Sequence, residues 1–160
     1  MNHLESICNK IVTKEQALEI VNEWKKQSHS IVFTNGCFDI IHKGHVYYLA
    51  QTKDLGSKLV LGLNSDDSIK RLKGENRPVK ELESRALTLA AFECIDLIVP
   101  FSEDTPLDLI SLLIPHILVK GSDYNESNIV GADIVKAHGG KIITVDFVKG
   151  FSRTNYFKKL

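Results

Sequence analysis

The sequence predicts an α/β fold: one doubly wound, parallel, five-stranded sheet with helices on both faces. Three observations carry that expectation. Short, continuously apolar, β-rich runs alternate with stretches of helical period along the whole chain. Strands apolar on both faces must be covered on both sides, and right-handed crossover helices supply the cover. At 160 residues, with 43% hydrophobic and 25% charged residues, the chain suits one sizeable core better than two. The expected organisation is a single domain over residues 1–160, with residues 1–28 as a helical extension packed on it.

Each element has its own signal. TKEQALEIVNEWKKQ opens with Thr13 and, three residues on, Gln16, a capping-box pair; Ala17, Ile20, Val21 and Trp24 then recur at helical spacing. SIVFTN reads as the first strand, ending at Gly36. A helix from about Lys43 to Leu55 follows, stopped by Gly56. KLVLGLN is the second strand, and Ser65 and Asp66 open a short helix that ends near KGENRP. ELESRALTLAAFEC has a helical pattern and IDLIVPF is the third strand. Thr105 as cap and Pro106 at the first helical position begin the next helix, with an apolar stripe from Leu109 to Leu113. HILVKG is the fourth strand, ESNIVGADIVKAHGG a helix closed by two glycines, KIITVDFV the fifth strand, and a last short helix starts at Ser152. Repeats, low-complexity tracts and linkers are not apparent.

Bulk properties narrow the function. Twenty Lys and Arg balance twenty Asp and Glu, so nothing global favours nucleic acid or an anionic membrane, and an anionic ligand must be handled locally. MNHLESICNK is too polar for a secretory signal and no apolar run approaches a membrane span, so a cytoplasmic protein is expected. Cys8, Cys37 and Cys94 lack metal-ligand spacing; the latter two read as small buried hydrophobes.

In such a sheet ligands bind beyond the carboxyl ends of the strands, near the reversal of strand order. After the first strand, NGCFDIIHKGH brings glycines for close backbone approach and a helix start with unpaired N–H groups. His42 and His45, three apart, share one face of that first turn, and each imidazole can donate to a phosphoryl oxygen. A metal pair or two surface histidines are the alternatives; the absence of H-E-x-x-H or nearby cysteines weakens metal, and no protein-side-chain metal site is expected. After the second strand, Lys70, Arg71, Lys73 and Arg77 crowd around Gly74, as an anion clamp or as a solvated basic face. KGSDY offers Gly121 for close approach and Asp123 as a ribose-hydroxyl partner, though a simple turn explains both. KGFSRTN sets Gly150, Ser152 and Thr154 at a helix start, a second phosphate site or a plain cap.

GCFDIIHKGH resembles the G-x-F-D-x-x-H-x-G-H signature of the nucleotidyltransferase superfamily that includes the cytidylyltransferases, and GFSRTN stands where that family carries a second, I-S-T-T-like motif. TNGCFDIIHKGHVYYLAQ, NSDDSIKRLKGENRPV, ECIDLIVPFSEDTPLDLI and ILVKGSDY together resemble the D-glycero-β-D-manno-heptose 1-phosphate adenylyltransferases, from about Ile11 to the C-terminus. The resemblance implies a Rossmann-like fold and transfer of AMP from ATP to heptose 1-phosphate, giving ADP-heptose and pyrophosphate for lipopolysaccharide or related glycans. It also implies roles. His42, His45 and Lys73 are catalytic; Asn35, Gly36, Phe38, Gly44, Gly121, Asp123, Ser152 and Thr154 bind ATP; Asp39 and Arg77 bind the sugar phosphate. Ser152-Arg153-Thr154 departs from S-T-T, and Phe147 stands about where cytidylyltransferases place a basic residue; Arg153 either supplies that charge or faces solvent.

The attacking group would be a phosphate oxygen, already anionic, so neither a nucleophilic side chain nor a strong base is needed. Mg²⁺ on the triphosphate is expected, as are a homodimer or larger homo-oligomer and a separate heptose kinase upstream. The rivals are a cytidylyltransferase acting on glycerol 3-phosphate or another phosphorylated alcohol, and a non-catalytic nucleotide-binding module.

Overall fold

The computed structural model describes residues 1–147. Five parallel strands form one sheet: β1 (Ile31–Gly36), β2 (Lys58–Asn64), β3 (Leu97–Phe101), β4 (Ile117–Gly121) and β5 (Lys141–Val145), in the order β3-β2-β1-β4-β5. The chain winds outward from β1 to β3, then returns past β1 to build β4 and β5, so the order reverses between β1 and β4. This is the doubly wound sheet expected from the sequence.

The alternation of side chains along each strand splits the core into two layers. Ile31, Phe33, Val60, Leu97, Val99 and Leu118 face one way, against α2 (Lys14–Lys26), α6 (Leu107–Leu113) and α7 (Ala132–Ala137). Val32, Leu59, Leu61, Leu63, Ile98 and Val119 face the other, against α3 (Lys43–Lys53) and α5 (Leu82–Ala90). α4 (Asp66–Lys73) follows β2, with Ser65 capping it from the side-chain oxygen to the Ser68 N–H. Thr13 and Gln16 form the expected reciprocal box at the start of α2.

Several expectations need correction. The N-terminal extension holds two helices: α1 (His3–Cys8), capped reciprocally by Asn2 and Glu5, precedes α2. The helix expected over residues 126–140 is a 3₁₀ turn (Glu126–Asn128) and a separate α7. They part at Gly131, whose φ of +83° is costly for other residues and whose Cβ would lie 2.8 Å from Ile110. Pro106 is the cap of α6 rather than its first helical residue, and Thr105 Oγ1 lies only 3.5 Å from the Leu107 N–H. Gly56 does follow α3, but for a different reason. Its φ is not positive, and a Cβ there would meet Val32 Cγ2 at 2.6 Å, so a glycine lets the turn press against β1. Cys37 and Cys94 are half-buried and Cys8 is exposed. The short helix expected at Ser152, with Thr154 and Arg153, lies outside the described residues. Among the described residues no helix is long and apolar enough to cross a membrane.

Strand register opens the site. β1 pairs with β2 along its full length to Gly36, but with β4 only at Val32 and Phe33. Beyond Phe33 the two strands part, and their last residues line a crevice at the carboxyl edge where the order reverses.

Candidate active site

A cleft of about 350 Å³ occupies this crevice, lined by Asn35, Gly36, Phe38, His42, His45 and Gly121 among others. A second lobe of about 410 Å³ continues it and shares Asn35, Gly36, Cys37, Lys73, Lys120 and Tyr124 with the first. The ends of β1, β2 and β4 and the segments that follow them thus face one continuous space.

The histidines are built into the start of α3. His42 is its cap, and its Nδ1 accepts the Gly44 N–H at 3.1 Å; His45 Nδ1 accepts the His42 N–H at 3.2 Å. This is a capping box made of two imidazoles. Because both Nδ1 atoms accept, each neutral ring carries its proton on Nε2 and can donate it. The rings lie 4.0 Å apart, tilted by 33°, and burial pushes the His42 pKa below its ordinary value, favouring the neutral donor. Gly44 is buried in the first turn behind them and does not line the cleft. Phe38, at a φ of +45°, packs its ring 5.2 Å from His45.

Asp39 and Arg77 face each other rather than open space. Asp39 is 4% exposed; its carboxylate accepts from Arg77 Nε at 2.7 Å and from the N–H groups of Val79 and Lys80 at 2.8 and 3.0 Å. Burial alone would raise this carboxyl, but the Lys80 N–H, Arg77 and the Val79 N–H outweigh it and leave it below its ordinary value. The pair ties the loop after β1 to the segment before α5. Asp39 still lines the cleft, whereas Arg77 does not. Of the basic cluster after β2, Lys73 reaches both lobes, while Arg71 bonds Asp104 and the Ser102 carbonyl.

On the other wall, Gly121 allows what no larger residue would: a Cβ there would lie 2.1 Å from the Phe147 ring and 2.6 Å from Asp123 Oδ1. Phe147 stacks on Tyr48 at 5.0 Å, with the ring planes at 15°. Tyr48 in turn shares a 2.8 Å hydrogen bond with Thr34, and burial pushes its phenol up to about 12.

Two residues escaped the sequence reading. Arg85, 1% exposed in α5, donates to the carbonyls of Cys37 and Asn64 (both 2.8 Å), to Lys80 O at 2.9 Å and to Asp66 Oδ1 at 2.7 Å. It clamps the loops after β1 and β2 from beneath. Lys120, 8% exposed at the end of β4, reaches across the parted strands to Asn35 Oδ1 at 2.5 Å. An arginine in a helical pattern reads as solvent-facing; a lysine inside ILVKG was the available signal for the second. Ser152 and Thr154 fall outside the described residues.

Phosphoryl chemistry suits this arrangement: imidazole Nε2–H donors at a helix start, lysines at rim and floor, and a flat aromatic wall. Residues 33–150 match the cytidylyltransferase-like family. The chain is 50% identical to the bifunctional protein HldE of Paramagnetospirillum magneticum over 151 residues, 94% of this chain and 31% of that protein. It is 51% identical to that of Gluconobacter oxydans, over 90% of this chain and 30% of the relative. The chain therefore spans about a third of the length of the curated relatives it matches. The solved structure of a lipopolysaccharide core biosynthesis protein from Thermoplasma volcanium aligns with a TM-score of 0.62 at 26% identity, over 76% of this chain and 98% of that one. A pantoate-beta-alanine ligase from Francisella tularensis shares the fold at 18% identity (TM-score 0.65; 94% and 72% covered).

Proposed function

The chain belongs to the cytidylyltransferase-like family, and from that premise we propose that it transfers AMP from ATP to D-glycero-β-D-manno-heptose 1-phosphate, releasing pyrophosphate and forming ADP-heptose. The observation that carries the phosphoryl-transfer reading is the histidine capping box, which holds two Nε2–H donors side by side at the mouth of the crevice. The heptose reading is supported by identity of about half to the HldE proteins and by the likeness to a lipopolysaccharide core biosynthesis protein.

An acceptor phosphate oxygen attacks the α-phosphorus, and the bond to the β-phosphate oxygen breaks with its electron pair leaving on pyrophosphate. No proton need move. His42 and His45 donate to the phosphoryl oxygens as charge builds there, and Lys73 neutralises phosphate at the rim. Asn35, Gly36, Phe38, Gly121 and Asp123 contact the nucleotide, and Gly44 acts indirectly, by keeping the first turn of α3 tight. Ser152 and Thr154 hold the β- and γ-phosphates. Asp39 and Arg77 act on the sugar phosphate at one remove: bonded to each other, they hold the loop after β1 against the segment before α5.

Mg²⁺ fits as a passenger of the triphosphate, with phosphate oxygens and water as its ligands, and it would supply charge neutralisation there. Among the described residues no three His, Cys, Asp or Glu side chains form a cage for it, and a substrate-borne ion requires none. A cytoplasmic homodimer fed by a heptose kinase completes the proposal. Assaying ATP and CTP in parallel with the sugar phosphate separates this reading from a cytidylyltransferase: pyrophosphate with ATP supports it, and pyrophosphate with CTP alone sinks it.

A further inference from the structure

Burying an ammonium group is costly unless an anion or a hydrogen-bond partner compensates. Lys120 is 8% exposed, and among the described residues it forms no ion pair. Its contacts are Asn35 Oδ1 at 2.5 Å and the face of the Tyr124 ring at 5.2 Å. Desolvation lowers its pKa to about 8, with the charges of Asp123 and Cys37 pulling the other way. Its amine lies on the floor at the junction of the two lobes, where β1 and β4 separate. The first lobe holds the histidines and the Gly121 wall. The second is lined by Asn64, Thr105 and Asn128, by the apolar Leu72, Pro106 and Val130, and by Asp104, which is paired with Arg71, with Lys73 and Lys120 as its cations. Neutral amides and hydroxyls match the hydroxyls of a sugar; a cation at the junction matches its phosphate.

We propose that Lys120 is a further catalytic residue, binding the phosphate monoester of the acceptor through a non-attacking oxygen and holding it in line with the α-phosphorus of the donor. The inference rests on the nucleotidyl-transfer reading. Lys120 remains an ammonium throughout: the acceptor oxygen forms the new bond to phosphorus, the bond to the β-phosphate oxygen breaks, and pyrophosphate carries off the electron pair. The cation offsets the repulsion between two anions that must approach to bonding distance.

Two measurements on the full chain test this. The first follows the side-chain carbon signal of Lys120 by NMR in ¹³C-lysine protein, assigned by its loss in Lys120→Met. With no anion the midpoint should fall near pH 8; inorganic phosphate or heptose 1-phosphate should raise it by at least about one pH unit, and heptose 1-phosphate should raise it further when the nucleotide is already bound. A midpoint indifferent to both phosphates, whether or not ATP moves it, overturns the proposal. The second is kinetic. Lys120→Met should lower kcat/KM for heptose 1-phosphate roughly 100-fold while the KM for ATP stays within about threefold, and Lys120→Arg should recover part of the loss. Equal losses on both substrates, or none, overturn it. If the wild-type protein turns over no heptose 1-phosphate, the proposed reaction fails, whereas the response of the midpoint to inorganic phosphate still decides Lys120.

Discussion

Replacing His42 by asparagine separates its structural task from its proposed catalytic one. Its Nδ1 caps α3 by accepting the Gly44 N–H at 3.1 Å; in the proposed reaction its Nε2–H donates to the phosphoryl group. Asparagine is among the best caps, and its side-chain oxygen can take over the first task; its amide is too short to reach the position of Nε2. His42→Ala loses both. The capping loss is about 1 kcal/mol, which in a domain of this size lowers Tm by roughly 2–4 °C. Loss of a preorganised donor at a charged transition state costs about 10²- to 10³-fold in rate, or about 2.7–4 kcal/mol. His42→Asn should therefore melt within about a degree or two of wild type, yet fall by two to three orders of magnitude in kcat. His42→Ala should show the same kinetic loss and a lower Tm. Calorimetry and a pyrophosphate-release assay on the same preparations give both quantities. If His42→Asn keeps turnover within about threefold of wild type, the Nε2–H donor is not part of the mechanism.

Other consequences are equally open to measurement. His45→Gln restores the Gln of an ordinary capping box, so it should preserve stability and still lose about 10²-fold or more in kcat. Arg85→Met strands the buried carbonyls of Cys37 and Asn64; at about 1–3 kcal/mol each, roughly 2–6 kcal/mol of stability should go, read as a lower urea midpoint at an unchanged slope. Gly121→Ala drives a methyl into the Phe147 ring and should weaken ATP binding by calorimetric titration far more than it lowers Tm. Stability should also depend on pH in a defined direction. Burial holds His42, and likewise His116, below the ordinary 6.5, so the unfolded chain binds more protons in that window. Their contribution is complete above about pH 6.5 and is lost as pH falls toward the folded values; His42→Asn should flatten that slope.

Much of the fold can be read from hydrophobic period alone. The strand expected at KLVLGLN matches β2 residue for residue, and the Thr13–Gln16 box starts α2 as its spacing implies. Sequence and structure differ where tertiary contact decides. Gly131 breaks one apparent helix in two because Ile110 lies against it, and nothing within ESNIVGADIVKAHGG announces that neighbour. The histidine pair was legible because its chemistry is local, three residues apart on one turn. Lys120 and Arg85 were not, since their importance comes from burial and from partners 85 and 48 residues away, which no local pattern records. Asp39 and Arg77 show the opposite case: both are polar and both lie near the site, yet they are joined by an ion pair that only the folded chain reveals.

The most direct trial of the central claim is pyrophosphate release by the purified protein with Mg²⁺, ATP and D-glycero-β-D-manno-heptose 1-phosphate. Release with both substrates together, and with neither alone, is the predicted result. Absence of release with ATP under conditions where the nucleotide binds would contradict adenylyl transfer to this acceptor.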